Sequence, residues 1–135
     1  LLHQALAVYR GNFRPSATLT QPYVVVGVPW VAAETDDEAD FLATSIFQRV
    51  LGILRGDRRP LAPPVAGFLE GLSAQEKAGI ADFLGAAIIG GRSRAKEALS
   101  ALRQATQADE LMLVCDIFDP ALRLRALDIA HAACA

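Results

Sequence analysis

The chain has 135 residues, 53% of them hydrophobic and 21% charged, a balance that excludes disorder and supplies enough apolar side chain for the core of one small domain. Thirteen Lys and Arg against fifteen Asp and Glu give a formal net charge of -2, which offers no attraction to phosphate backbones or anionic lipid, so neither nucleic acid nor a membrane is an expected partner. No apolar run approaches the ~20 residues of a membrane-spanning helix, and no basic-then-apolar leader follows Leu1, so a cytoplasmic location is expected.

In chain order, Leu2, Leu6, Tyr9 and Phe13 stand three and four apart, the stripe of an amphipathic helix that Gly11 and Pro15 bring to an end. A chain that opens at Leu1, without Met and already inside this stripe, is expected to be a piece of something longer. Residues 23–33, YVVVGVPWVAA, are β-branched and almost continuously apolar, which predicts a strand covered on both faces, as in parallel sheets. Pro29 has no N–H to give to a ladder, so the strand is expected to be bulged, bent or edge-like there. Thr35-Asp36-Asp37-Glu38 matches a capping box, in which the Thr hydroxyl serves a first-turn amide and Glu38 reaches back to the N–H of Thr35. The helix it opens carries Ala39, Leu42, Ile46, Val50 and Ile53 as its buried stripe and stops at Gly56.

Residues 56–72 are rich in Gly and Pro, hold no period and read as a long loop. A second capping box, Ser73-Ala74-Gln75-Glu76, opens a short helix bearing Ile80, Phe83 and Leu84. Gly85–Ile89 reads as a short buried strand that breaks at Gly90-Gly91 and passes through Ser93 into a helix with Ala95, Ala98, Leu99 and Leu102 on one face. Residues 111–115, LMLVC, form a third buried strand, after which Asp119 caps a last helix with Pro120 in its first position and Leu122, Ala126, Ile129 and Ala133 inside. Buried strands alternating with amphipathic helices predict right-handed crossovers and an α/β fold with three parallel strands in a single domain.

Ligands of such sheets collect at the carboxyl ends of the strands, here Ala33-Glu34, Gly90–Arg92 and Cys115–Phe118. Gly90-Gly91-Arg92-Ser93 has two readings: a turn, or an anion seat made by helix-terminal amides with the charge of Arg92 or Arg94 added. It lacks the Lys of a phosphate-binding loop and the third glycine of a dinucleotide fingerprint. Arg55–Pro64 reads either as a mobile lid or as a solvated linker with Arg58 and Arg59 on its surface. Tyr23 and Trp30 could touch a flavin or an apolar substrate, although an aromatic on a buried strand is ordinarily core. Cys115 and Cys134 stand in apolar surroundings without metal-ligand spacing, and His3 and His131 have no acidic or Ser partner nearby, so none is assigned to catalysis or a metal.

Two longer segments carry a resemblance. Residues 107–130, QADELMLVCDIFDPALRLRALDIA, resemble the closing strand and helix of the luciferase-like flavin monooxygenases, approximately G-A-D-E-L-M, a few apolar residues, then I-Y-D-H-A-A-R-L-R-S-Y-E-I-L-A. Ala108–Met112, Asp119, Ala121, Arg123–Arg125 and Ile129 match. Residues 22–39, PYVVVGVPWVAAETDDEA, are similar to that family's P-Y-V-M-V-G-V-x-V-x-A-A-D-T-D-E-E-A, and LAPPV and the Ser73 box follow in the family's order. The chain departs from the pattern at Ile89-Gly90-Gly91-Arg92-Ser93-Arg94, where the family has V-G-S/T-P-E, at Pro29, and at Gln107, which replaces a Gly.

The resemblance implies the C-terminal half of a (β/α)8 TIM barrel whose last three strands are those read here, with Arg55–Leu72 (56–72 as the lid-like loop) in the region of the family's lid. It implies reduced FMN and O2 used to oxygenate an organic substrate, such as a long-chain aldehyde, with a flavin reductase as a partner. The flavin-phosphate seat of such barrels lies on earlier strands, so no catalytic residue is carried over, and Gly90, Gly91 and Arg92 remain candidate cofactor contacts at the rim. The other reading is a non-catalytic small α/β binding or assembly module that forms oligomers through its sheet edges.

Overall fold

The computed structural model describes residues 1–135. Five α-helices and three strands follow in the order α1 (Leu2–Asn12), β1 (Val25–Ala33), α2 (Asp36–Leu54), α3 (Ala74–Phe83), β2 (Ile88–Gly91), α4 (Arg92–Thr106), β3 (Glu110–Val114) and α5 (Pro120–Cys134), with a 3-10 turn at Phe68–Gly71. The strands are parallel and lie in the order β2-β1-β3.

That order corrects the expectation of three successive barrel strands, which would place β2 between its sequence neighbours. Instead β1 is central and divides its length between two partners. Val25–Pro29 pair residue for residue with Glu110–Val114, and Trp30–Ala33 pair with Ile88–Gly91. The handover falls at Pro29, so the strand is neither bulged there nor at an edge: the residue without an N–H ends one ladder just before the other begins.

The core gathers on β1 and the helices packed over it. Val24, Val26, Val28, Trp30, Val31, Ala32 and Ala33 are all buried, and so are Ala39, Leu42, Ile46 and Val50 of the α2 stripe. Ala126, Ile129 and Ala130 close the core from α5, and each Val or Ile so buried contributes about 1.5–3 kcal/mol. Burial of β1 on both faces is nevertheless incomplete, since Val25 is exposed. Nor is β3 the buried strand expected. Its residues alternate between exposed and half-buried, because β1 is its one ladder partner and no helix covers the face carrying Met112 and Val114. Phe83, expected inside α3, is likewise exposed, while Ile80 and Leu84 are buried as expected.

The three predicted N-terminal caps form. Ser73 Oγ accepts from the Glu76 N–H, and Glu76 accepts from the Ser73 N–H at 3.0 Å, the complete reciprocal box. At α2, Thr35 Oγ1 accepts from the Glu38 N–H, but Glu38 reaches one residue further back than expected, to the N–H of Glu34 at 3.1 Å. Asp119 accepts from the amides of Ala121 and Leu122, with Pro120 opening α5 as predicted. At the other end of α2, Gly56 adopts φ 75°, a left-handed turn suited to glycine that lets Asp57 N–H return to Gly52 O at 2.8 Å. Residues beyond it run back along α2, tied by Gln48 Nε2 donating to Pro63 O and Val65 N–H donating to Thr44 Oγ1.

Gln107 ends α4 at φ 48°, the left-handed region, where the luciferase-like pattern places glycine. Gln107→Gly is expected to raise the unfolding free energy by about 1 kcal/mol, read by chemical denaturation, because the Cβ penalty of that conformation disappears. Glu76 is held down at about 2 from its ordinary 4.5 by the Arg55 guanidinium and then by the Ser73 amide and hydroxyl. Its ionised form stabilises the fold above pH 4.5, and that contribution is lost as pH falls toward 2. The melting-temperature gap between the native chain and Glu76→Gln is therefore expected to be present at neutral pH and to close across that interval.

Candidate functional site

The pairing of Ala33 with Gly91 sets the carboxyl ends of β1 and β2 side by side, whereas β3 stops opposite Pro29. The structure thus brings Glu34 together with Gly90, Gly91 and Arg92 and leaves Cys115–Phe118 lower along β1. The glycine pair is not the turn expected. Gly90 and Gly91 are the last two ladder residues of β2, and α4 begins directly at Arg92. The strand starts later than predicted because Gly85 and Ala86 are used in a turn closed by Ala87 N–H to Leu84 O at 2.8 Å. What requires glycine at 91 is close approach: a Cβ there would lie 2.9 Å from the backbone N of Asp36 and the carbonyl carbon of Thr35.

Several polar groups of this corner are engaged within the chain, while α4 starts with no side-chain cap for its first-turn amides. The Gly91 N–H donates to Asp36 Oδ1 at 2.7 Å, and Arg92 grips Glu34 with two nitrogens, Nε to Oε2 at 2.6 Å and Nη2 to Oε1 at 2.8 Å. The Arg92 guanidinium holds the Glu34 carboxyl below the ordinary carboxylate range, and Glu34 in turn raises Arg92. Both stay ionised at neutral pH. A phosphate arriving here would meet the carboxylates of Glu34 and Asp36 beside the first-turn amides of α4 and the Arg92 donors that Glu34 does not use. Gly90, Gly91 and Arg92 thus sit in a corner of mixed charge, where Glu34 offsets the charge of Arg92. The local sequence could show the glycines and the arginine, but not that acidic residues of the β1–α2 junction fold across onto them.

The remaining candidates are dispersed. Trp30 is fully buried on β1, its indole N–H donating to Ala126 O of α5 at 2.8 Å, so it is core. Tyr23 is exposed at the opposite end of the sheet, where its hydroxyl bonds Glu110, an interaction that raises its pKa. Cys115 is half-buried and burial pushes its thiol up, away from the nucleophilic thiolate; Cys134, His3 and His131 are exposed. No helix is long and apolar enough to cross a membrane. The sheet itself offers a bare apolar face, with Val25 46%, Met112 61% and Val114 45% exposed at positions that the ladder places alternately on one side.

No family model matches the chain. It is 41% identical over 125 residues to an uncharacterized Bacillus subtilis protein, YvbT, covering 93% of this chain and 37% of that one. It is 35% identical over 130 residues to a luciferase-like monooxygenase of Escherichia coli K12, covering 96% of this chain and 39% of the relative. Among solved structures, the crystal structure of apo-MsnO8 superposes with a TM-score of 0.73 at 25% identity, over 98% of this chain and 40% of that one. The chain thus spans about two fifths of the length of the relatives it matches. Over the part of those relatives that it spans, the chain belongs to the luciferase-like family.

Proposed function

We propose that this chain forms part of an FMN-dependent luciferase-like monooxygenase, which uses reduced flavin and O2 to oxygenate an organic substrate such as an aldehyde. The observation that carries this reading is the 35% identity to a luciferase-like monooxygenase along 96% of the chain. When bound, the reduced flavin supplies the electrons that activate O2. The Glu34 and Asp36 carboxylates at the Gly90–Arg92 corner disfavour the flavin phosphate there, so that group would be held by residues outside this chain. The contribution of these residues is then structural: a helix-backed section of wall whose apolar sheet face, Val25, Met112 and Val114, keeps water from what lies against it.

The decisive experiment supplies the protein in its natural full length with reduced FMN, a long-chain aldehyde and 18O2, and follows the product by mass spectrometry. One 18O atom in the carboxylic acid is expected. Saturable reduced-flavin binding without incorporation from any aldehyde or related substrate would remove the oxygenase reading.

The bare face and free edge of β3 also favour a second reading, a non-catalytic module that assembles through its sheet. Sedimentation separates the two, because such a module forms oligomers of the isolated chain that dissociate when Met112 is replaced by Lys.

A further inference from the structure

A cleft of about 370 Å³ lies between the C-terminal half of α2 and the segment that follows it, remote from the Gly91 corner. Arg49, Arg55 and Arg59 all line it, over a floor that includes Leu51 and Phe68. The local charge runs against that of the whole chain. Residues 49–59 carry four Arg and one Asp, while the protein is net negative at -2.

Each of the three arginines has a carboxylate partner, but the manner of pairing differs from that of Arg92. Arg92 commits two nitrogens to Glu34, whereas Arg49 meets Asp116 through Nη1 alone at 3.1 Å, Arg59 meets Asp57 through Nη2 alone at 2.7 Å, and Arg55 meets Glu76 through Nη2 alone. A guanidinium has five N–H donors in a rigid fork, so one-nitrogen pairing leaves most of them unused. Two of the three carboxylates, Asp116 and Glu76, do not line the cleft; they hold their arginines from outside it. Asp57 is the one acidic residue in the lining. The ion pairs are also well exposed, with the arginine side chains 45%, 58% and 79% accessible, so solvent screens them and a more highly charged anion competes with the carboxylates.

We propose that this cleft binds a phosphate group, that of a small soluble phosphate monoester whose apolar portion rests on Leu51 and Phe68. Three arginines in one lining offer donors and positive charge that suit the several acceptor oxygens and double charge of a phosphate better than a single carboxylate, and arginine can contact phosphate in a bidentate manner. The site is independent of oxygenase chemistry, so its test requires no turnover.

The test is calorimetric titration of the full-length protein at constant ionic strength with inorganic phosphate and, separately, with phenyl phosphate. A saturable site additional to the flavin's own is expected, with phenyl phosphate tighter because its ring covers the apolar floor. Arg49→Gln, Arg55→Gln and Arg59→Gln are each expected to weaken phosphate at least tenfold, with no change from the charge-matched control Arg103→Gln on α4. Asp57→Asn is expected to tighten it severalfold by removing the one competing carboxylate in the lining, a gain that misfolding cannot imitate. Absence of saturable binding, equal loss in Arg103→Gln, or no gain in Asp57→Asn would overturn the site. Binding of phosphate with no preference for the phenyl ester would restrict the ligand to free phosphate and overturn the role given to the apolar floor.

Discussion

Trp30→Ala is expected to lower the unfolding free energy by about 3–5 kcal/mol, the largest effect of any single side-chain truncation proposed for this chain. The side chain is fully buried at the point where β1 passes from one ladder to the other, and α5 is packed on it through the Ala126 carbonyl. Truncation removes the transfer free energy of the indole and leaves a cavity that rigid strand and helix backbones on either side cannot fill. Trp30→Phe keeps most of the apolar volume and gives up the indole N–H bond, so a loss of about 1–2 kcal/mol is expected. Trp30 is the single tryptophan, which makes its emission a direct reporter for the native chain, while far-ultraviolet circular dichroism under denaturant measures both variants. Losses of equal size for Ala and Phe would show that the hydrogen bond, not packing, dominates.

Gly91→Ala is expected to cost about 3 kcal/mol, measured the same way. The added methyl would sit 2.9 Å from the Asp36 amide nitrogen and from the Thr35 carbonyl carbon, atoms of a helix start that cannot rotate aside as a side chain can. Overpacking of this kind costs about 1–3 kcal/mol, and displacement of α2 also stretches the bond from the Gly91 N–H to Asp36. Asp36→Asn keeps an acceptor for that N–H and adds no volume, so its loss should stay below about 1 kcal/mol. If the two variants lose equal stability, close approach is not the reason for glycine at this position.

Local chemistry was readable wherever one short stretch of chain decides the outcome. The Ser73 box, the Asp119-Pro120 helix start and the α2 stripe all lie within a few residues of their partners, and the structure contains each of them. What the sequence misstated depends on distant partners. An apolar run such as LMLVC shows that residues can be buried, not that anything in the chain covers them, and Met112 and Val114 lie bare. The order of the strands is a tertiary fact that alternation leaves open, and it put β1, not β2, in the centre. At the candidate site the glycines and Arg92 were visible, but Glu34 and Asp36 reach them across 58 and 55 residues of sequence, beyond any local pattern. Arg49 escaped notice because a lone arginine on the polar side of an amphipathic helix looks like ordinary solvated charge.

The shared strand has a consequence for how the chain reaches its native state. Val25 of β1 pairs with Glu110, so everything from α2 to the end of α4 is an excursion that leaves from the far end of β1 and must return to its beginning. The β1–β2 ladder closes a shorter loop and can form while the C-terminal third of the chain is still unfolded. Docking of β3 closes the longer loop of the two ladders, gains only a half-covered strand, and is therefore the later and slower event of sheet formation.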